Sequence, residues 1–258
     1  MNASVDAPKF TVITVVYENL DGLRKTAESV LSQIYHDYEW LVVDGASNDG
    51  TSDFVDSLNL KKLKFISEPD EGLYDAMNKG LALAQGEYII FLNGGDRFAS
   101  ENTLERLSRI ATGKVDFIYG HAFEEDLEGG LFLKKLRKFT YAWYGMFTHH
   151  QAMVYGASLT LGESFDLDYD IASDYAFTLN CLAKSKSNVA ADFPICIFEQ
   201  GGISQSDRQF EAALEQWDIR KKLLGYGFFR LSLIFGVQFL IRKIRSIAPK
   251  FYNFFRFE

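Results

Sequence analysis

Short apolar runs alternate with amphipathic stretches through the first third of the chain. Phe10–Tyr17 (FTVITVVY), Tyr38–Val43 (YEWLVV), Leu63–Ile66 (LKFI) and Tyr88–Leu92 (YIIFL) are β-branched or aromatic runs of strand length. Between them, Leu20–Gln33, Thr51–Leu58 and Leu73–Ala84 read as helices; Leu23, Ala27, Val30 and Leu31 share one face of the first. Strand–helix alternation with short connections predicts an α/β fold with a mostly parallel sheet. Each strand stops at a polar turn: Tyr17-Glu18, Asp44-Gly45, Ser67 to Gly72 with Asp70 inside it, and Asn93-Gly94-Gly95-Asp96. A parallel sheet puts those turns on one edge, where ligands of open α/β sheets gather.

The last of these turns is the most informative. It follows a glycine-bounded apolar run, in GEYIIFLNGGDRF, and carries one carboxylate, Asp96. A carboxylate at a strand end can hold a hard divalent cation, and such a cation commonly bridges to phosphates. No G-x-G-x-x-G follows the first strand and no G-x-x-x-x-G-K-[ST] occurs, which excludes a standard dinucleotide site and a P-loop.

From Ser100 the alternation weakens. Thr103–Ala111 predicts a helix and Phe117–Tyr119 a strand. His121–Glu125 and Leu131–Leu136 flank Glu128-Gly129-Gly130 like a hairpin. A polar cluster, Thr148-His149-His150-Gln151, precedes a short strand, Ala152–Tyr155. Phe165–Ile171 is irregular, with Asp166, Asp168 and Asp170 alternating; the Gly and Glu of a calcium loop are missing, so solvated acids or acceptor contacts are expected. Ser173 is expected to cap a helix over 174–183, with Asp174 in its first turn. Val189–Phe198 reads as extended and is followed by Gly201-Gly202-Ile203-Ser204. Tyr141, Trp143 and Tyr144 are either a packed aromatic cluster or a sugar-stacking surface.

Composition fits a globular chain with a sizeable core: 258 residues, 47% hydrophobic. Charge changes the picture more. Residues 219–258 carry nine Lys/Arg and one acid, leaving 18 basic against 34 acidic residues in 1–218. An acidic body argues against nucleic-acid binding, and a basic, aromatic tail favours contact with an anionic surface. Within the tail, Leu223–Ile241 has Arg230 as its only charge, and its uncharged run, Leu231–Ile241, is short for a membrane span. An interfacial helix is expected, with packing or a homodimer contact, or a tilted span, as the alternatives; Phe251, Tyr252, Phe254, Phe255 and Phe257 continue the apolar theme. Cys181 and Cys196 match no metal or redox spacing and fit a reducing compartment. The N-terminus has no signal-peptide pattern.

Five segments together resemble glycosyltransferase family two, specifically the branch of bacterial polysaccharide assembly that contains the colanic-acid glycosyltransferases. They are TVITVVYEN, SVLSQIYHDYEWLVVDGASNDGT, EPDEGLYDAMNKGLALAQGEYIIFLNGGD, HHQAMVY and YDIASDYAF. The resemblance implies a GT-A, Rossmann-like fold with a nucleotide-sugar half (9–99), an acceptor half (100–218) and the helical tail (219–258). It implies an inverting transfer from a nucleotide sugar, normally UDP-linked, with Mg²⁺ or Mn²⁺ as cofactor. The acceptor would be a lipid-linked saccharide in surface-polysaccharide synthesis, and the enzyme cytoplasmic and peripheral on the inner face of the cell membrane. Tyr17 and the backbone near Val15 would line the nucleobase pocket and Asp44 would accept a hydrogen bond from the base. Asp70 would lie near the nucleoside, and Asp75, Asn78 and Lys79 on the helix facing the donor. Asp96 would be the metal ligand, with Asn93 and Gly95 in the same motif, and Asp174 the base. His149, His150 and Gln151 are expected to touch the acceptor or the diphosphate, with metal ligation by His150 as the alternative. The sequence departs from the family at Asn93, where an acid is usual, at Gly95, where the branch often has Ser, and at Ser173, where Glu often precedes the base.

The chemistry asks for these parts independently. Charge on a departing diphosphate needs a Lewis acid, the attacking hydroxyl needs a carboxylate to take its proton, and one displacement with one base gives inversion. Two alternatives stay open: a sugar nucleotidyltransferase, which would want a glycine-rich basic loop where Tyr17-Glu-Asn-Leu stands, and a non-catalytic sugar-nucleotide binder.

Overall fold

A computed structural model of the protein describes residues 7–126, 128–199 and 208–247. The expected Gly201–Ser204 turn, the aromatic residues beyond 250 and the N-terminal residues 1–6 lie outside them. The first half alternates as predicted: β1 (Phe10–Val16), α1 (Leu20–Leu31), β2 (Tyr38–Asp44), α2 (Thr51–Leu58), β3 (Leu63–Ser67), α3 (Leu73–Leu83) and β4 (Tyr88–Phe91). The second half adds β5 (Arg97–Phe98), α4 (Thr103–Ile110), β6 (Phe117–Glu125), β7 (Leu131–Lys134), β8 (Met153–Gly156), α5 (Ala157–Thr160), α6 (Ser173–Lys184), β9 (Asn188–Glu199), α7 (Gln209–Leu224) and α8 (Phe228–Ile247).

All nine strands join one sheet, in the order β3-β2-β1-β4-β8-β6-β9-β5, with β7 paired to β6. The four strands read first, β3-β2-β1-β4, are mutually parallel. Beyond β4 the sheet is mixed: β8 runs antiparallel to β4 and β6, whereas β9 is parallel to β6. The separately predicted strands 117–119 and 121–125 are one strand, β6, with a register shift at His121 against β9.

Strands β1, β2, β4 and β8 are buried on both faces, which explains their near-continuous apolar runs. Alternate β1 residues feed opposite cores. Phe10, Val12 and Val16 pack with α1 and α4, whereas Ile13 and Val15 pack with α3 and α6. Thr14 is fully buried, and its hydroxyl accepts from Trp40 Nε1 at 2.9 Å. Helix α1 ends two residues before the expected Gln33. That side chain turns inward instead, donating to the Ser100 carbonyl at 2.8 Å and accepting from Leu104 N–H at 3.0 Å, which anchors α4.

Helix α7 runs without a break through residue 218, where the sequence reading starts the tail. Its Ile219 and Arg220 are buried against the body. Helix α8 packs through Leu231 and Ile234, and its Gln238 donates to the Tyr144 carbonyl at 2.9 Å. No helix among the described residues is long and apolar enough to cross a membrane.

Candidate active site

A cavity of about 820 Å³ opens at the C-terminal ends of β1 and β4. Its walls come from the end of β1, the turn after β4, the start of α3, the segment 148–151, the approach to α6, the end of β9 and α7. Among the residues expected at the site, Val15, Tyr17, Asp70, Asn93, Asp96, His149, His150, Gln151 and Asp174 line it.

Tyr17 is 65% exposed, an aromatic face available for stacking. It closes on Gly45 and Asp70: a Cβ at Gly45 would lie 2.7 Å from Asp70 Oδ2 and 3.0 Å from Tyr17 Cδ2. The loops behind Tyr17 are clipped together, with Glu18 N–H donating to Ser47 Oγ at 2.8 Å and Asn48 N–H to Glu18 Oε1 at 2.9 Å. Glu18 (φ 47°) and Ala46 (φ 63°) sit in the left-handed region, a strain that persists only where surroundings over-determine it.

Five of the expected site residues do not line the cavity. Asp44 is fully buried and accepts from Ser47 Oγ at 2.5 Å and Ser67 Oγ at 2.6 Å, so it shapes the loop behind the cavity. Asn78 bonds the Phe165 backbone through both amide atoms, at 2.7 and 2.9 Å. Lys79 donates to the Pro69 carbonyl and pairs with Glu68 and Asp75. Asp75 also accepts from Glu71 N–H at 3.1 Å. This network fixes the loop that carries Asp70. Gly95 is set back behind Gly94 and Asp96.

The turn after β4 is pinned by a residue that the sequence reading left in a helix. The Thr26 hydroxyl, on α1, accepts from Gly95 N–H at 3.0 Å and reaches the Asp96 carbonyl at 2.7 Å. Asn19 caps α1 through its Oδ1 and reaches the Gly94 carbonyl with its Nδ2 at 3.3 Å. Gly95 has φ +107°, and a Cβ there would lie 2.5 Å from Glu199 Oε2. That is a physical reason for glycine where the branch often has serine.

Asp96 is 5% exposed and accepts from Glu199 N–H at 3.2 Å. Burial pushes its carboxyl up to about 8; bonds from Glu199 N–H and the Gln151 side chain and the charge of Arg97 pull it back, and the Glu199 charge adds to the rise. Among the described residues, no three His, Cys, Asp or Glu side chains converge to cage a metal. Asp96 and Asn93 both line the cavity, and the Oδ1 of Asn93 is a buried oxygen with no partner among the described residues. This oxygen-only set fits a hard divalent cation whose remaining ligands come from phosphate and water.

Asp174 stands in the first turn of α6 and accepts from Tyr175 N–H at 2.7 Å. Burial raises its carboxyl to about 6; the Tyr175 N–H opposes this, the Glu215 charge adds to it, and the Tyr74 hydroxyl opposes it. The expected Ser173 cap is absent. Ser173 is the first helical residue, and its buried hydroxyl has no partner among the described residues. Glu215 on α7 serves that end instead, accepting from the N–H groups of Asp170, Ile171 and Ala172 at 3.1, 3.0 and 2.7 Å. Nothing in the sequence marks Glu215 for this role, because the pairing spans more than 40 residues. Asp166 accepts from Asp168 N–H at 3.0 Å in a local turn, and Asp170 pairs with Arg208 at 2.8 Å; neither contact resembles a calcium loop.

His149 stacks on Phe198 with ring centres 4.2 Å apart, and its Nε2 lies 3.0 Å from Glu124 Oε1 and 3.1 Å from Lys134 Nζ. Tyr141 and Trp143 are largely exposed; Arg230 of α8 stands over Trp143 with 5.8 Å to the ring centre.

Residues 11–164 match the profile of "Glycosyl transferase family 2". An uncharacterized glycosyltransferase of Mycobacterium tuberculosis is 33% identical over 206 residues, covering 76% of this chain and 77% of the relative. A PGL/p-HBAD biosynthesis glycosyltransferase of Mycobacterium bovis is 29% identical over 192 residues, covering 69% and 71%. The structure of TarS 1–349 from S. aureus with UDP-GlcNAc superposes with a TM-score of 0.67 at 18% identity, covering 94% of this chain and 74% of that one. A mannosyltransferase of Pyrobaculum calidifontis, solved with GDP-Man and Mn²⁺, gives 0.65 at 18% identity, covering 86% and 66%.

Proposed function

The chain belongs to glycosyl transferase family 2, and on that premise we propose that it transfers one sugar, with inversion, from a nucleoside-diphosphate sugar to a lipid-linked saccharide in bacterial surface-polysaccharide synthesis. The donor is taken to be UDP-linked, in line with the neighbour solved with UDP-GlcNAc. The observation that carries the reading is that Asp96 and Asp174 line one cavity, each with its carboxyl raised by burial. The 9–99 half supplies the donor walls and the 100–218 half the acceptor walls.

Asp96 and Asn93 Oδ1 would hold Mg²⁺ or Mn²⁺. When bound, the cation supplies Lewis-acid neutralisation of the diphosphate. Tyr17 stacks on the base and Asp70 meets the nucleoside. Asp174 accepts the proton of the acceptor hydroxyl as its oxygen bonds to the anomeric carbon and the bond to the diphosphate oxygen breaks. A carboxyl near 6 is ionised at neutral pH yet basic enough to take that proton. His149 and Gln151 are assigned to the acceptor or diphosphate side. Proton NMR of the product tests the stereochemistry: an α-linked donor gives a β-linked product, and an α-linked product contradicts inversion.

The proposal includes attachment to the inner face of the membrane through α8. Phe229, Leu233 and Leu240 are exposed at helical spacing, while Leu231 and Ile234 are buried on the other face. The basic excess of 219–258 suits anionic lipid. Triple substitution of Phe229, Leu233 and Leu240 by Ser spares the packed face. It is expected to abolish co-flotation with phosphatidylglycerol-containing liposomes. Equal flotation of variant and wild type would remove the membrane from the account and leave a dimer contact, which sedimentation would then show.

A further inference from the structure

His150 opens a short 3-10 turn, His150–Ala152, directly before β8. It is 4% exposed and lines the cavity. Neither ring nitrogen has a partner among the described residues. Buried imidazole nitrogens are normally satisfied, so an unpartnered pair on a residue that lines a cavity points to a ligand.

The surroundings define what that ligand can be. The ring stacks on Phe91 with centres 5.0 Å apart, and Tyr155, Phe165 and Phe177 close around it at 5.6, 5.7 and 6.4 Å. Burial in this aromatic box lowers the imidazole pKa to about 3, so the ring is neutral. A neutral imidazole donates one hydrogen bond and accepts one. The complementary group both accepts and donates: a hydroxyl.

The position selects which hydroxyl. Phe91, under the ring, is followed two residues later by the Asn93–Asp96 turn. Gln151, the next residue, lies close enough to Asp96 to lower its carboxyl pKa. Phe177, at the ring's other edge, lies one helical turn beyond Asp174 on α6. His150 therefore packs against residues that adjoin both the Asn93–Asp96 turn and Asp174. In the transferase reading the sugar being moved lies between those two groups. We propose that His150 reads a hydroxyl of the transferred sugar, one ring nitrogen donating to it and the other accepting from it or a neighbouring hydroxyl. The inference rests on the transferase reading given above.

His150→Phe keeps a ring in the box and removes both nitrogens. Calorimetry with Mn²⁺ compares UDP with UDP-glucose and UDP-N-acetylglucosamine, and GDP with GDP-mannose, using whichever pair wild type binds. The variant is expected to bind the nucleotide sugar about tenfold or more weakly and the matching nucleoside diphosphate within about twofold of wild type. Loss of both affinities together, or of neither, overturns the proposal. Imidazole ¹⁵N NMR on the wild-type protein keeps the test alive if the variant does not fold. The His150 nitrogens should shift on adding the nucleotide sugar and not the diphosphate; equal shifts, or none, overturn it. A wild type that binds none of the five nucleotides defeats the transferase reading itself, and this inference with it.

Discussion

Replacing Asp174 by Asn is expected to lower turnover by about 10²- to 10⁴-fold while nucleotide-sugar affinity stays within about twofold. The substitution keeps the size of the side chain and the acceptor for Tyr175 N–H, and removes only the base. A non-catalytic binder would show no such separation, because it has no turnover to lose. The wild-type pH profile carries the same signature. With the carboxyl at about 6, kcat/KM should fall tenfold per pH unit below that value and level off above it. The shift has a stability counterpart. The folded chain holds the Asp174 proton more tightly than the unfolded one, so its contribution is complete below the ordinary 3.8 and is lost as pH rises through about 6. Asp174→Asn does not titrate there and should melt no lower than wild type above pH 6. A variant that melts lower and also loses nucleotide-sugar binding would indicate a structural residue.

Asp96→Asn is expected to abolish the tightening of nucleotide-sugar binding by Mg²⁺ or Mn²⁺ and to reduce turnover to background. Asn can still accept from Glu199 N–H, so the strand end keeps its bond. What disappears is the charge facing the diphosphate. Burial opposes ionisation of Asp96 in the metal-free chain, so removing the charge should leave the melting temperature equal to or above that of wild type. Thermal shift with titrated Mn²⁺ separates the two effects: wild type should gain stability with the metal and a nucleotide sugar together, and the variant should not. If cation still tightens binding in the variant, the metal is held elsewhere and the assignment of Asp96 fails.

The parallel half of the fold was legible because three of its four strands, β1, β2 and β4, are buried on both faces. Phe10–Val16 and Tyr88–Phe91 contain almost nothing but core residues, and each ends at a turn the sheet must place on one edge. The same logic made Asp70, Asp96 and Tyr17 visible. Asp174 depended on the resemblance, since an acid in a helix's first turn is otherwise unremarked. The second half was harder to read. Its strands pair across long separations and change direction at β8, and a register shift at His121 splits one strand into two by pattern. The hidden residues share a cause as well. Thr26 supports the Asp96 turn from 69 residues away, and Glu215 holds the approach to Asp174 from more than 40. Each side chain is ordinary in its own helix and gains its role only when the sheet brings that helix to the site. Asp75, Asn78 and Lys79 show the opposite case, in which helix residues that match a family motif bond to other chain segments: Asp75 and Lys79 fix the loop that bears Asp70, and Asn78 holds the Phe165 backbone.

The most direct test is a binding and turnover panel on the full chain: UDP-glucose, UDP-N-acetylglucosamine, UDP-galactose and GDP-mannose, each with Mn²⁺, with Mg²⁺ and with EDTA. Thermal shift reads binding and release of the free nucleoside diphosphate reads turnover. The account predicts that at least one UDP-sugar stabilises the protein and releases UDP only when a divalent cation is present. No metal-dependent response to any of the four would contradict it.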